Sequence, residues 1–142
     1  MYLLDTNVVS ELRNAGDGKA DGNVVAWLSG VDAGAFYVSA ITLMELELGI
    51  LLIERRDVPQ GAKLRTWMDN HILAEFSERT LPVDAPVALR CARLHVPSPR
   101  SERDALIAAT ALVHGMTVVT RNPADFERTG VPLLNPWDHT RV

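Results

Sequence analysis

The 142-residue chain has one cysteine, Cys91, two lysines, Lys19 and Lys63, and only 6% aromatic residues. A single cysteine excludes an intrachain disulfide framework and a cysteine-rich metal cluster. Its neighbours Ala88, Leu89, Ala92 and Leu94 suit a small buried side chain in a helix. The four histidines, His71, His95, His114 and His139, show no ligand-type pairing for zinc. A formal net charge of -4 lacks the basic excess of a protein that holds nucleic acid by bulk electrostatics, although an enzyme that touches a few phosphates needs no such excess. The richest apolar stretch, around Ile50 to Ile53, is far too short to span a bilayer. Asp5 and Glu11 interrupt the start where a signal peptide would need an apolar core. A soluble, cytoplasmic protein with no membrane partner is expected. Neither a GxSxG elbow nor a P-loop occurs, which leaves no support for a serine hydrolase or a P-loop NTPase.

What is present is an apolar content of 47%, enough for one sizeable core in a single domain over residues 1–142. Periodicity gives an alternating α/β pattern without repeats. Tyr2–Leu4 reads as a first strand, and the polar, glycine-bearing Asn14 to Gly22 as a loop. Val24–Leu28 reads as a short helix, Ala35–Val38 as a second strand and Ser39 to Arg56 as a long helix. After a break at Asp57-Val58-Pro59, Leu64, Trp67, Met68 and Ile72 share one face of another helix. Arg79–Val83 is a third strand. Asp84 is the expected N-cap of a helix through Leu94, with Pro86 in its first turn. The proline-rich loop at 96–101 precedes ERDALIAATALVH, a helix closed by Gly115. Thr117–Thr120 and Leu133–Leu134 are the last strands. Strands separated by helices imply a mainly parallel sheet covered on both faces, with ligands outside the carboxyl ends of the strands.

Four acids stand where a solvated surface would not need them: Asp5, Glu45, Asp104 and Asp125. Asp5 ends the first strand, where it serves either as a helix cap or as part of a site. Glu45 sits near the start of the apolar helix after strand two, where the helix dipole alone could favour it; Glu47 points to another face. Asp104 has capping-box spacing from Ser101, yet the helix it opens is almost entirely apolar and therefore buried. Asp125 follows strand four in TRNPADF and could simply cap a turn, with Asn122 as a second polar candidate. Carboxylates gathered at one sheet edge repel each other, and a divalent cation removes that cost. Hard oxygen ligands suit Mg²⁺ or Mn²⁺, and phosphodiester hydrolysis is the chemistry that uses such a cluster. An aspartyl-phosphate phosphatase would need a second acid two residues after Asp5, where Asn7 stands.

At this point LLDTNVVSEL, ITLMELELGI, DALIAATALVHGMTVVTRNPADF and GVPLLNPW together resemble the PIN-domain ribonucleases, and among them the toxins of VapBC and FitAB-type toxin–antitoxin pairs. The resemblance runs from Tyr2 to Trp137. It implies a three-layer α/β/α sandwich with a central, mainly parallel sheet, and a Mg²⁺- or Mn²⁺-dependent endoribonuclease. It also implies a cognate VapB- or FitA-like antitoxin, an RNA substrate, a homodimer, and operator DNA contacted through the antitoxin. By position it makes Asp5 and Asp104 the direct metal ligands, joined in catalysis by Glu45 and Asp125, with Thr6, Thr120 and Asn122 as polar support. The stretch before Asp104 is shorter than the family carries there, which leaves Arg100, Arg103 and Arg121 as candidate phosphate contacts. A toxin-like module that binds without cutting is the alternative. An apolar groove for the antitoxin is expected near Leu52, Leu64, Trp67 and Met68.

Overall fold

The computed structural model describes residues 1–139; the last three residues of the expected 1–142 domain lie outside the described residues. Strand β1 (Tyr2–Leu4) pairs in parallel on both sides, with β2 (Phe36–Ser39) and with β4 (Thr117–Val119). With β3 (Thr80–Leu81) beyond β2 and β5 (Leu133–Leu134) beyond β4, the order is β3-β2-β1-β4-β5. The strands are short because side chains on both faces must be apolar, and the chain supplies only brief runs of that kind. Leu4, Val38 and Val119 face one core, while Leu3, Val118 and Tyr37 face the other.

The order reverses at β1. The chain first steps outward to β2 and β3, then returns past β1 to β4 and β5. Right-handed crossovers in opposite directions place their helices on opposite faces of the sheet. On one face lie α1 (Thr6–Gly16), α2 (Gly22–Ser29), α3 (Ala40–Arg56) and α4 (Val58–Trp67); α4 runs through a π turn at Met68–Ile72 into the short α5 (Leu73–Glu75). Val8, Val9, Trp27, Leu46, Ile50 and Met68 fill that core. On the other face α7 (Glu102–His114) sets Ile107, Ala108 and Ala111 against the sheet, and Ala105 and Ala109 against Val87 and Cys91 of α6 (Ala85–Leu94). A helix packed between a sheet and a second helix has almost no polar face, and its alanines allow close approach on both sides.

Several element bounds depart from the sequence expectation by a residue or two, among them α2, β2, α4 and β4, and two further departures are instructive. The polar stretch from Asn14 starts inside α1, which continues to Gly16 before the chain turns. Val8, Val9 and Leu12 pack that helix against the core, and the Asp17 amide closes its last turn on Arg13 O at 3.3 Å. Strand β3 is limited to Thr80–Leu81 rather than Arg79–Val83; the Arg79 amide donates back to Phe76 O at 3.0 Å, in the turn that closes the preceding helix. The α7 terminus follows the expected pattern: Gly115 takes φ 66°, a left-handed conformation that closes the helix.

Candidate active site

Because β1 is central and the order reverses there, the crevice beyond its carboxyl end is where an open α/β sheet holds ligands. Asp5 stands at that point. Its backbone N–H donates to Val119 O of β4 at 2.9 Å, and its side chain is buried. Oδ1 accepts from the Thr6 amide at 2.8 Å, which caps α1. Oδ2 accepts from the Thr120 hydroxyl at 2.8 Å and, more weakly, from Asn7 Nδ2 at 3.4 Å. The helix cap and the site position are therefore the same residue, each using one oxygen.

Thr6 serves the next acid. Its hydroxyl donates to Glu45 Oε1 at 2.7 Å. Glu45 is in the second turn of α3, which Ser39 starts by accepting from the Ile41 amide at 3.0 Å at the end of β2. The other Glu45 oxygen lies 3.7 Å from Arg103 Nη1. Glu47 turns away and makes a bidentate pair with Arg65 at 2.6 and 2.8 Å. Asp104 stands half-buried in the first turn of α7, and Ser101, its N-cap residue, makes no side-chain capping bond to the helix amides. The Ser101 hydroxyl instead faces the Asp104 carboxyl.

Electrostatics tie these acids together. Burial, the largest influence, pushes the Asp5 carboxyl above its ordinary range; the Thr120 hydroxyl and Thr6 amide pull it back, and the charges of Asp104 and Glu45 push it up again. Asp104 is likewise raised, first by burial, then by Asp125 and Glu45, with the Ser101 hydroxyl opposing. Asp5, Glu45, Asp104 and Asp125 thus share one field at one end of the sheet. A set of carboxyl oxygens whose charges raise one another suits a hard divalent cation; Asp5 and Asp104 are its buried and half-buried members.

The remaining candidates separate. Thr120 is fully buried and, besides donating to Asp5, accepts from the Asn122 amide at 3.0 Å. Asn122 contributes through its backbone, since its carbonyl also receives the Asp125 amide at 3.1 Å. Arg103 and Arg121 are exposed; Arg121 lies over the Trp137 ring at 5.1 Å. Arg100 is engaged elsewhere, donating to Leu94 O at 3.2 Å and Glu127 O at 2.8 Å, which fastens the loop before α7. One contributor escaped the sequence reading. Asn7 receives the Arg121 amide on Oδ1 while facing Asp5 with Nδ2, linking the segment after β1 to the segment after β4; its place in Asp-Thr-Asn was the available signal.

A PIN domain family model matches residues 2–132. The chain belongs to the PIN-domain family. It is 34% identical over 97% of its length to the VapC ribonuclease Y4jK of Sinorhizobium fredii, and covers 99% of that relative. It is 37% identical over 96% of its length to toxin FitB of Neisseria gonorrhoeae, again covering 99%. The structure of FitAB bound to an IR36 DNA fragment superposes with a TM-score of 0.86 at 36% identity, covering 99% of both chains. For a PIN domain the three-layer sandwich and parallel sheet agree with the fold expected from the motifs. In this PIN domain three of the four segments that carried the resemblance contain Asp5, Glu45, Asp104 and Asp125, and the fourth, GVPLLNPW, supplies β5.

Proposed function

We propose that this PIN domain, a single domain over residues 1–142, is a metal-dependent endoribonuclease and the toxin of a VapBC- or FitAB-type pair. The observation that carries this is the shared field of Asp5, Glu45, Asp104 and Asp125 beyond β1. Mg²⁺ or Mn²⁺, when bound, supplies activation of water and neutralisation of charge on the scissile phosphate. Asp5 and Asp104 hold the cation, with Asp5 fixed in orientation by Thr6 and Thr120. Glu45, held by Thr6, and Asp125 complete the acidic ring, and Asn122 keeps Thr120 in place through its backbone. Arg103 and Arg121 are the exposed cations beside the site and contact the RNA backbone. Arg100 supports them by fixing the loop that leads into α7. Cleavage leaves a 5′-phosphate and a 3′-hydroxyl.

Support for a cognate antitoxin comes from two sides. Relatives named as VapC ribonuclease and FitB toxin match over nearly the whole chain, and the FitAB neighbour was solved on DNA. The chain also has a groove of about 1120 Å³ between the end of α1 and the α4–α5 segment, lined by Leu12, Trp67, Ile72 and Phe76 with Arg13, Lys19 and Lys63 at its polar positions. Of the residues expected there, Trp67 lines the groove, Leu64 and Met68 are buried in the core, and Leu52 is exposed. An antitoxin segment occupies this groove and contacts operator DNA, while the toxin pairs as a homodimer in the cytoplasm. Among the described residues no helix is long and apolar enough to cross a membrane. The toxin-like module that binds without cutting is the less favoured reading, because the chain retains all four acids and its relatives carry ribonuclease and toxin names. Incubating total cellular RNA with the purified chain tests the proposal: discrete fragments that require Mg²⁺ or Mn²⁺ are expected, and intact RNA from folded, antitoxin-free protein overturns it.

A further inference from the structure

On the outer side of α7, three side chains converge that the acidic site does not use. Cys91 lies near the end of α6, His95 is the C-cap residue four positions on, and Glu102 opens α7 across the intervening loop. Cys91 Sγ lies 3.8 Å from His95 Nε2 and 3.8 Å from Glu102 Oε1, and His95 Nε2 lies 3.1 Å from Glu102 Oε2. A tetrahedral zinc ion with Zn–S of about 2.3 Å and Zn–N and Zn–O of about 2.0 Å separates its ligand atoms by roughly 3.3 to 3.5 Å. Sγ and Nε2 face different Glu102 oxygens, and with one ligand atom taken from each residue the three atoms lie within 4.8 Å of one another, so a modest side-chain adjustment brings them to that range. Sulfur is buried, the imidazole half-buried and the carboxylate exposed, so remaining coordination positions open to water. The thiol is a poor nucleophile here, because burial and then Glu102 push it above its ordinary range.

We infer that Cys91, His95 and Glu102 form a second metal site, separate from the acidic one and selective for a borderline-soft divalent cation such as Zn²⁺. Thiolate and imidazole set this preference, whereas the all-oxygen site beyond β1 suits hard cations. Binding sends the thiol proton to solvent and moves the imidazole proton from Nε2 to Nδ1. Nδ1 accepts from the Arg100 amide at 3.2 Å, so that bond is given up and the loop at 96–100 shifts on binding. The ion joins the last turn of α6 to the first turn of α7, two residues ahead of Asp104, and so stiffens the segment that presents that acid.

Cobalt titration of chelator-treated protein, with zinc competition, tests this without reference to RNA cleavage. One Co²⁺ per chain is expected to give tetrahedral visible bands and a near-ultraviolet thiolate charge-transfer band, both bleached by Zn²⁺. Since Cys91 is the only cysteine, that band reports its sulfur directly. Asp5→Asn should leave the bands unchanged, while His95→Gln and Glu102→Gln should each weaken Zn²⁺ affinity by roughly tenfold or more and abolish the zinc-dependent rise in melting temperature. Absence of the thiolate band in folded protein overturns the inference. So does a band whose affinity in both His95→Gln and Glu102→Gln is unchanged from the wild type, since that identifies a lone thiol binding adventitiously. If Cys91→Ser fails to fold, the two other variants still decide.

Discussion

Thr120 donates its hydroxyl to Asp5 Oδ2 at 2.8 Å across 115 residues of sequence, and both side chains are buried. This bond ties the tip of β1 to the tip of β4 and opposes the upward push that burial exerts on the Asp5 carboxyl. Thr120→Val keeps the shape and removes the donor, and it leaves the Asn122 amide without its acceptor as well. The expected cost is about 1–3 kcal/mol of stability. Weaker Mn²⁺ binding should accompany it, because the Asp5 carboxyl rises further and protonation competes with the cation. Chemical denaturation and Mn²⁺ titration of the same variant check both.

Asp5→Asn should make the protein more stable in the presence of a chelator while removing its nuclease activity. The carboxyl is raised in the folded chain above its ordinary 3.8, so the folded state binds the proton more tightly than the unfolded state does. Its stability contribution is therefore fully present below about 3.8 and is lost as pH rises through the folded-state value. Each unit of such a rise costs about 1.4 kcal/mol at neutral pH, and Asn, an equally good helix cap, avoids the cost. The advantage of Asn over Asp in melting temperature should be largest near neutral pH and vanish in acid. Equal melting temperatures at both ends would show that Asp5 is not raised.

Arg103 stands 3.7 Å from Glu45, and nearly half of its side chain is exposed. A pair this exposed contributes under about 1 kcal/mol, so Arg103→Ala should melt close to the wild type. If Arg103 contacts RNA phosphate, the same change raises KM, leaves kcat nearly unchanged and flattens the dependence of binding on salt. A fall in kcat alone would assign the residue to orienting Glu45 instead.

Gly61 is where α4 crosses α3. A Cβ there would meet Glu54 Cγ at 2.6 Å and Glu54 Cα at 2.7 Å, and the second of these is backbone that cannot swing aside. Alanine normally favours a helix interior over glycine by about 0.5–1 kcal/mol. Forcing the helices apart costs about 1–3 kcal/mol, so Gly61→Ala should destabilise on balance, measured by denaturant unfolding.

Much of the site was legible because its acids sit at element boundaries that sequence marks well. Asp5 follows three residues of strand, Glu45 lies one turn into an unmistakable helix, and Asp104 opens a helix whose apolar character contradicted a surface role. What sequence could not give was the contact made by each polar atom. Ser101 and Asp104 have capping-box spacing, but the hydroxyl makes no capping bond. Arg100 is paired with two carbonyls from separate segments, which only tertiary packing brings together. Cys91 reads in the sequence only as a small buried helical side chain and His95 as an unpaired histidine; their meeting depends on Glu102, which arrives from the next helix. Boundaries followed the same rule. The end of α1 was missed because Val8, Val9 and Leu12 pack the helix against the core and its last turn is closed by backbone bonds from Asp17 and Gly18, neither of which the polar residues announce.

The most direct measurement is the rate of Mn²⁺-dependent RNA cleavage by Asp5→Asn set beside the wild type, with folding of both verified by circular dichroism. If the acids beyond β1 hold the catalytic cation, the wild type cuts RNA into discrete fragments, a chelator stops it, and Asp5→Asn is inactive although folded and at least as stable. Cleavage by folded Asp5→Asn at the wild-type rate would contradict the account.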